Sequence, residues 1–269
     1  MKKFIKLITA IIIFVITLHI EAKLPDKEGI FEFNGNKAYI YLPDNFQKGG
    51  NYKFILFFHG AGYSNGQPGN VGHVGFTKFR QMAAEKGYII AVPSYGTTWY
   101  NRKAENITKS MLVNLEQELG IKLDRIHVMG GSMGGLSALV WSARNMERVI
   151  SICTFYAVAD IEEQYNAKEH HAKAMIQSYG GDFSKKPYWF KSRKAINYAG
   201  ILAQTSVLLI HGDADVLVSP QQSENLYNAI KNAGSTQVEF IKVPNKGHDN
   251  NVVKGYEEKI FEFIKQAEK

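Results

Sequence analysis

One cysteine in 269 residues leaves no partner for an internal disulfide, so packing alone must hold the fold. That cysteine, Cys153, lies in the apolar run 149–155 and reads as a buried strand residue. The chain has no His-Glu-x-x-His and no cysteine cluster, which argues against a catalytic metal. Gly-x-Gly patterns occur after His59, but none opens directly into a helix with the dinucleotide spacing, so no cofactor is expected. The net charge is +7, yet the basic residues are scattered among acids rather than gathered in a stripe. Nucleic acid is therefore not an expected partner. Internal repeats, low-complexity linkers and a second domain are all missing as well.

Long apolar runs are also scarce. The longest, 7–20, falls short of the ~20 residues that span a bilayer comfortably. It follows a basic start, Met1-Lys2-Lys3-Phe4-Ile5-Lys6, and precedes Ala22, a small residue suited to cleavage. Together these read as a secretory signal peptide over 1–22, with an uncleaved N-terminal anchor as the alternative. The expected destination is the periplasm or the cell exterior. Removing the leader lowers the net charge of +7 by two, through three lysines and one glutamate. Residues 23–269 suffice for one α/β domain with a full core, and no membrane partner is expected once the leader is gone.

The remaining chain alternates. Asn34-Gly35-Asn36 interrupts an alternating pattern and predicts a hairpin pairing 30–33 with 37–42. Continuous apolar runs at 53–58, 88–92, 126–129, 149–155 and 206–210 have the character of strands buried on both faces. Helical patterns lie between them at 76–86, 101–119, 136–145 and 220–233. A last strand at 237–243 precedes a C-terminal helix predicted over 252–265. Such alternation specifies a mainly parallel, doubly wound sheet with helices on both faces. Residues 160–199 break the rhythm. They are polar but carry Tyr165, Tyr179, Phe183, Tyr188, Trp189 and Phe190. Two outcomes are open for this insertion: an element packed on the sheet edge, or a cap whose aromatics, Tyr188 and Trp189 with Tyr63, line a substrate pocket.

The most informative stretch is Val128-Met129-Gly130-Gly131-Ser132-Met133-Gly134-Gly135. A strand precedes it and a helix follows, the context a Gly-x-Ser-x-Gly nucleophile turn requires. A turn this tight strains the serine, lifts its hydroxyl clear of the sheet, and leaves no room for a Cβ on either side. His59-Gly60-Ala61-Gly62 ends the first buried strand. Ligands bind at the carboxyl ends of parallel strands, so this loop should lie beside Ser132. The amide of Met133 and that of Ala61 or Gly62 are the expected oxyanion donors. His59 itself is expected to brace the loop. His211-Gly212-Asp213-Ala214-Asp215 and Gly247-His248-Asp249 follow the last two core strands, giving the chain order Ser, Asp, His. His248 is the expected base. Asp213 and Asp215 compete for the acid, with Asp215 favoured because it lies further into the loop. Asp249 is adjacent to His248, so its side chain should point away.

These residues together resemble the α/β-hydrolase superfamily. The nearest likeness is to its prolyl oligopeptidase and dienelactone hydrolase branch and to small secreted carboxylesterases, feruloyl-type ones included. The resemblance covers residue 30 to the C-terminus. Leu208-Leu209-Ile210-His211-Gly212-Asp213-Ala214-Asp215 with Val218 and Pro220 is similar to the acid-bearing motif of that branch, and Gln221-Gln222-Ser223 and Gly247-His248 also fit. The resemblance implies that Asp215 is the triad acid and that no metal or organic cofactor is needed. It also implies a serine hydrolase acting on small-molecule or polymer-linked esters. No segment has the pattern of the peptidases' propeller domain, which makes an esterase the plainer expectation and a peptidase or amidase the alternative. A non-catalytic binding protein on the same fold is a third reading.

Overall fold

The core strands are mostly apolar on both faces because each serves two cores at once. In β3 (Lys53–Phe58), Phe54, Leu56 and Phe58 join one buried cluster while Ile55 and Phe57 join the other. The computed structural model describes residues 23–269, so the leader predicted over 1–22 lies outside the described residues. The other strands are β1 (Glu28–Phe33), β2 (Asn36–Tyr41), β4 (Tyr88–Pro93), β5 (Ile126–Gly131), β6 (Val149–Phe155), β7 (Ser206–Gly212) and β8 (Val238–Val243). They form one sheet in the order β1-β2-β4-β3-β5-β6-β7-β8. β1 and β2 pair antiparallel, as do β2 and β4, and all later pairings are parallel. The hairpin turns on Asn34 (φ 47°) and Gly35 (φ 71°), two successive left-handed residues that match the strands' twist.

Helices α1 (Thr77–Glu85), α2 (Arg102–Leu119), α3 (Met133–Arg144), α8 (Pro220–Asn232) and α9 (Glu257–Ala267) cover the faces. α1 and α9 supply the cluster around Phe79 and Phe261, and α2, α3 and α8 the cluster around Leu115, Leu139 and Leu226. Two helix starts differ from expectation. α3 begins at Met133 rather than at 136, because Ser132 itself is the residue from which the helix springs. The C-terminal helix begins at Glu257 rather than at 252. A 3₁₀ turn, Asn250–Val253, and Gly255 at φ +85° intervene, and no helix continues through that angle.

The insertion comprises α4 (Ile161–Ala167), α5 (Glu169–Tyr179), α6 (Pro187–Lys191) and the approach to α7 (Ala199–Leu202). Its aromatics pack largely on one another. The Phe190 ring lies 5.1 Å from Tyr179, 5.2 Å from Tyr165 and 5.2 Å from Phe183, and is fully buried. Arg193, also fully buried, donates to Tyr100 O at 2.7 Å and to Glu105 at 2.6 Å, tying the insertion to α2.

Candidate active site

Five neighbouring strands, β3, β5, β6, β7 and β8, run parallel and end at one edge of the sheet, and every site residue lies just beyond one of those ends. Ser132 follows β5 at φ 58°, ψ −126°, a conformation that L-residues rarely hold. Surrounding bonds impose it. Ser132 N donates to Phe155 O at 3.0 Å, and Ser132 O accepts from Gly135 N at 2.9 Å. The flanking glycines are required by contact. A Cβ at Gly130 would overlap the Gly134 carbonyl, and one at Gly134 would overlap the carbonyl of Phe58 on β3.

The Ser132 hydroxyl donates to His248 Nε2 at 2.9 Å, and His248 Nδ1 donates to Asp215 Oδ2 at 2.7 Å. Asp215 Oδ1 accepts from Leu217 N at 2.8 Å and Val218 N at 2.9 Å, while Oδ2 also accepts from His211 Nε2 at 3.1 Å. Burial alone would raise this carboxyl. The hydrogen bonds from His211 and His248, and the latter's charge, outweigh it and hold the group far below the usual carboxylate range. Asp213 stays out of this cluster: its Oδ1 accepts from Asn245 N at 2.7 Å and so braces the two loops with its side chain. Asp249 accepts from Asn251 N at 2.5 Å and caps the turn that follows.

Of the expected oxyanion donors, Gly62 is engaged elsewhere, its amide donating to Thr97 Oγ1 at 3.0 Å. The amides of Ala61 and Met133 have no protein acceptor among the described residues. Met133 opens α3, where the first N–H groups are unpaired by construction and the helix dipole favours negative charge. The arrangement can therefore activate a hydroxyl, deliver it to a carbonyl carbon, and hold the oxygen that becomes charged.

His59 is a brace. Its Nδ1 donates to Gly60 O at 2.7 Å, Nε2 accepts from Tyr95 N at 3.3 Å, and its ring stacks 4.1 Å from Tyr95. Burial pushes its protonation down to about 4, so it stays neutral at ordinary pH. Tyr63 is half-buried with its ring 6.1 Å from His59, on the loop beside the reaction centre. The other two pocket residues fare differently. Trp189 stacks on Tyr179 at 5.9 Å and carries the Arg193 guanidinium at 4.6 Å, so its face is taken up by packing. Tyr188 is 64% exposed, next to Trp189.

A second layer was not singled out in the sequence. Asn70 Oδ1 accepts from Gly60 N at 2.5 Å, and its Nδ2 donates to Tyr156 Oη and to Asn250 Oδ1, each at 3.2 Å. Tyr156, at φ 40°, directly follows β6, and its ring meets His248 edge-to-face at 4.7 Å. Its hydroxyl also bonds Asn250. One chain of polar groups thus links the oxyanion loop to the histidine loop. Position could have flagged Tyr156, since it occupies the same place after its strand as His59 and Ser132 do after theirs. Nothing local in the sequence marks Asn70 or Asn250.

The profile described as "Prolyl oligopeptidase family" matches residues 75–269. A protein of Bacillus subtilis (strain 168) named "Uncharacterized peptidase YtmA" is 26% identical over 181 residues, 65% of this chain and 70% of its own length. Among solved structures, Pyrococcus horikoshii acylaminoacyl peptidase superposes with a TM-score of 0.70 at 16% identity, covering 92% of this chain and 42% of that one. A truncated form of a carbohydrate esterase from gut microbiota gives 0.69 at 19% identity, covering 91% and 99%. This chain thus spans less than half the length of the acylaminoacyl peptidase. The fold is that of the α/β-hydrolase superfamily.

Proposed function

This chain belongs to the prolyl oligopeptidase family of hydrolases, and we propose that it is an exported serine hydrolase that cleaves carboxylic esters through an acyl-enzyme. The observation that carries this is the unbroken relay from Ser132 Oγ to His248 (2.9 Å) to Asp215 (2.7 Å) beside two free amides. Ser132 Oγ attacks the ester carbonyl as its proton passes to His248 Nε2. The amides of Met133 and Ala61 hold the oxyanion, each worth about 10²–10³ in rate. Collapse of the tetrahedral adduct expels the alcohol, which takes the proton from His248. Water then repeats the sequence to release the acid, and Asp215 stabilises the imidazolium in both halves.

Esters are favoured over amides because an ester carbonyl is less stabilised by resonance and an alkoxide leaves more readily than an amide anion, and the site holds a complete machinery for that simpler task. The gut carbohydrate esterase, matched over 99% of its length, supports the same choice. YtmA and the acylaminoacyl peptidase favour amide hydrolysis by the same residues as the second reading. Export rests on the basic start, the apolar run and Ala22. An ester and an anilide sharing one acyl group decide between the readings. The wild type should hydrolyse the ester with the higher kcat/KM and Ser132→Ala neither substrate. Preference for the anilide would favour the peptidase, and full ester turnover by Ser132→Ala would remove Ser132 from the mechanism.

A further inference from the structure

His211, the penultimate residue of β7, is fully buried, and the proposed reaction gives it no task. Its Nε2 lies 3.1 Å from Asp215 Oδ2, the oxygen that also accepts from His248, and 3.1 Å from Val218 O. A carboxylate and a carbonyl can only accept, so Nε2 carries the proton. Nδ1 lies 2.8 Å from Ser223 Oγ on α8, whose hydroxyl donates to it. The ring is thus pinned at both nitrogens in a single tautomer, with its Nε2–H shared between Asp215 Oδ2 and Val218 O.

That oxygen is therefore shared by two imidazoles. A second donor fixes where Oδ2 sits and draws charge away from the face that meets His248. A carboxylate so tempered stabilises the His248 imidazolium less than one facing His248 alone. Resting on the triad reading above, we propose that His211 is a positioning residue for the reaction. It holds Asp215 Oδ2 toward His248 and moderates its charge, so that the carboxylate's pull on the His248 proton stays weaker than that of a carboxylate facing His248 alone.

The other groups around His248 and Asp215 come from separate elements. Tyr156 packs its ring on His248 from the β6 loop, with Tyr63 and Asp249 close enough to influence its hydroxyl. From α5, His171 lies near enough for its charge and that of His248 to oppose each other, with His170 and Lys168 beyond it. Burial pushes His171 down to about 4, so it is neutral where His248 would work. None of these flanking groups hydrogen-bonds His211, whose partners are Ser223, Asp215 and Val218.

Two variants of the full chain isolate the contact. In His211→Gln the side-chain amide reaches the position of Nε2 and can still donate to Asp215. In His211→Asn it reaches only the position of Nδ1, keeping Ser223 but losing Asp215. The readout is an NMR titration of the His248 ring, which needs no substrate, alongside the pH profile of ester hydrolysis. His211→Asn should move both the ring's midpoint and the acid limb of kcat/KM to higher pH. Its plateau kcat should fall about ten- to a hundredfold with KM unchanged, the scale of one charge-assisted hydrogen bond. His211→Gln should titrate as the wild type does and restore most of the rate. Identical midpoints in all three proteins would overturn the proposal, since a merely structural role lowers Tm and leaves the titration in place. Loss of ester turnover with the expected ring titration would count against the ester reading alone. Should His211→Asn not fold, the wild type still decides. Its ¹⁵N shifts must show a protonated Nε2 and a bare Nδ1 on His211, and the opposite tautomer would overturn the proposal.

Discussion

Replacing Asp215 by asparagine changes almost no volume but removes one acceptor from a site where four donors converge. Leu217 N and Val218 N point at Oδ1, and His211 Nε2 and His248 Nδ1 point at Oδ2, on a side chain with no solvent access. An amide offers one accepting oxygen and one donating nitrogen. If the NH₂ faces the two backbone amides, two fixed donors lose their acceptor at about 1–3 kcal/mol each. If it faces the histidines, the rings can change tautomer, which costs the fold less. His248 must then accept at Nδ1 and carry its proton on Nε2, the atom that has to receive the Ser132 proton. The second arrangement should prevail. Asp215→Asn should thus fold, bind substrate with a similar KM, and lose about 10⁴ in kcat, the scale of a base held in the wrong tautomer. His211 must give up its bond to Val218 O, so Tm should fall by roughly 2–8 °C. Initial rates on a chromogenic short-chain ester and a calorimetric scan measure both. Asp213→Asn is the control, since its carboxylate only braces Asn245, and its activity should stay within about tenfold of wild type. Activity of Asp215→Asn close to wild type, or an equal collapse in Asp213→Asn, would refute the reasoning.

Three further outcomes follow from the same contacts. Asn70→Ala strips the acceptor from Gly60 N and one partner from Tyr156 Oη, so kcat should fall about ten- to a hundredfold while Ser132 still labels with a fluorophosphonate, more slowly. Gly134→Ala forces a methyl onto the Phe58 carbonyl, and the variant should be insoluble or melt well below wild type in a thermal scan. Glu268 concerns acid stability. Burial would raise its carboxyl, but the nearby His127 Nε2 at 3.3 Å and hydrogen bonds from Lys53 and Tyr88 bring it down to about 2. A depressed carboxyl stabilises the fold above its unfolded value of about 4.3 and loses that contribution as pH falls. Melting curves of wild type and Glu268→Gln should therefore differ above pH 4.3 and converge as pH approaches 2.

The sheet was legible because its signal is local: runs such as Phe54-Ile55-Leu56-Phe57-Phe58 have to be apolar throughout to face two helical layers. The placement of Ser132, Asp215 and His248 was legible for a topological reason, since parallel strands put their following loops on one edge. The start of the C-terminal helix is hidden in the sequence because Val252 and Val253 continue an apolar pattern that Gly255 breaks, and glycine's conformation is not visible in hydrophobic period. Aromatic content alone leaves open whether Trp189 lines a pocket or packs, because it does not say what a ring stacks on; Tyr179 and Arg193 take up its face. Gly62 fell for a similar reason, its amide being satisfied by Thr97, 35 residues away. The link from Gly60 through Asn70 to Tyr156 and Asn250 depends on contacts between residues up to 180 apart, which no sequence window contains.

The proposed reaction stands on a covalent ester intermediate at Ser132. Mixing the full chain with an activated short-chain ester, quenching in acid within the first turnovers, and mapping the digest by mass spectrometry tests it most directly. An added acyl mass should appear on the peptide containing Ser132, be lost again in wild-type protein as turnover ends, and never form in Ser132→Ala. Burst-phase alcohol release with no acyl mass on Ser132, or an acyl group on any other residue, would contradict it.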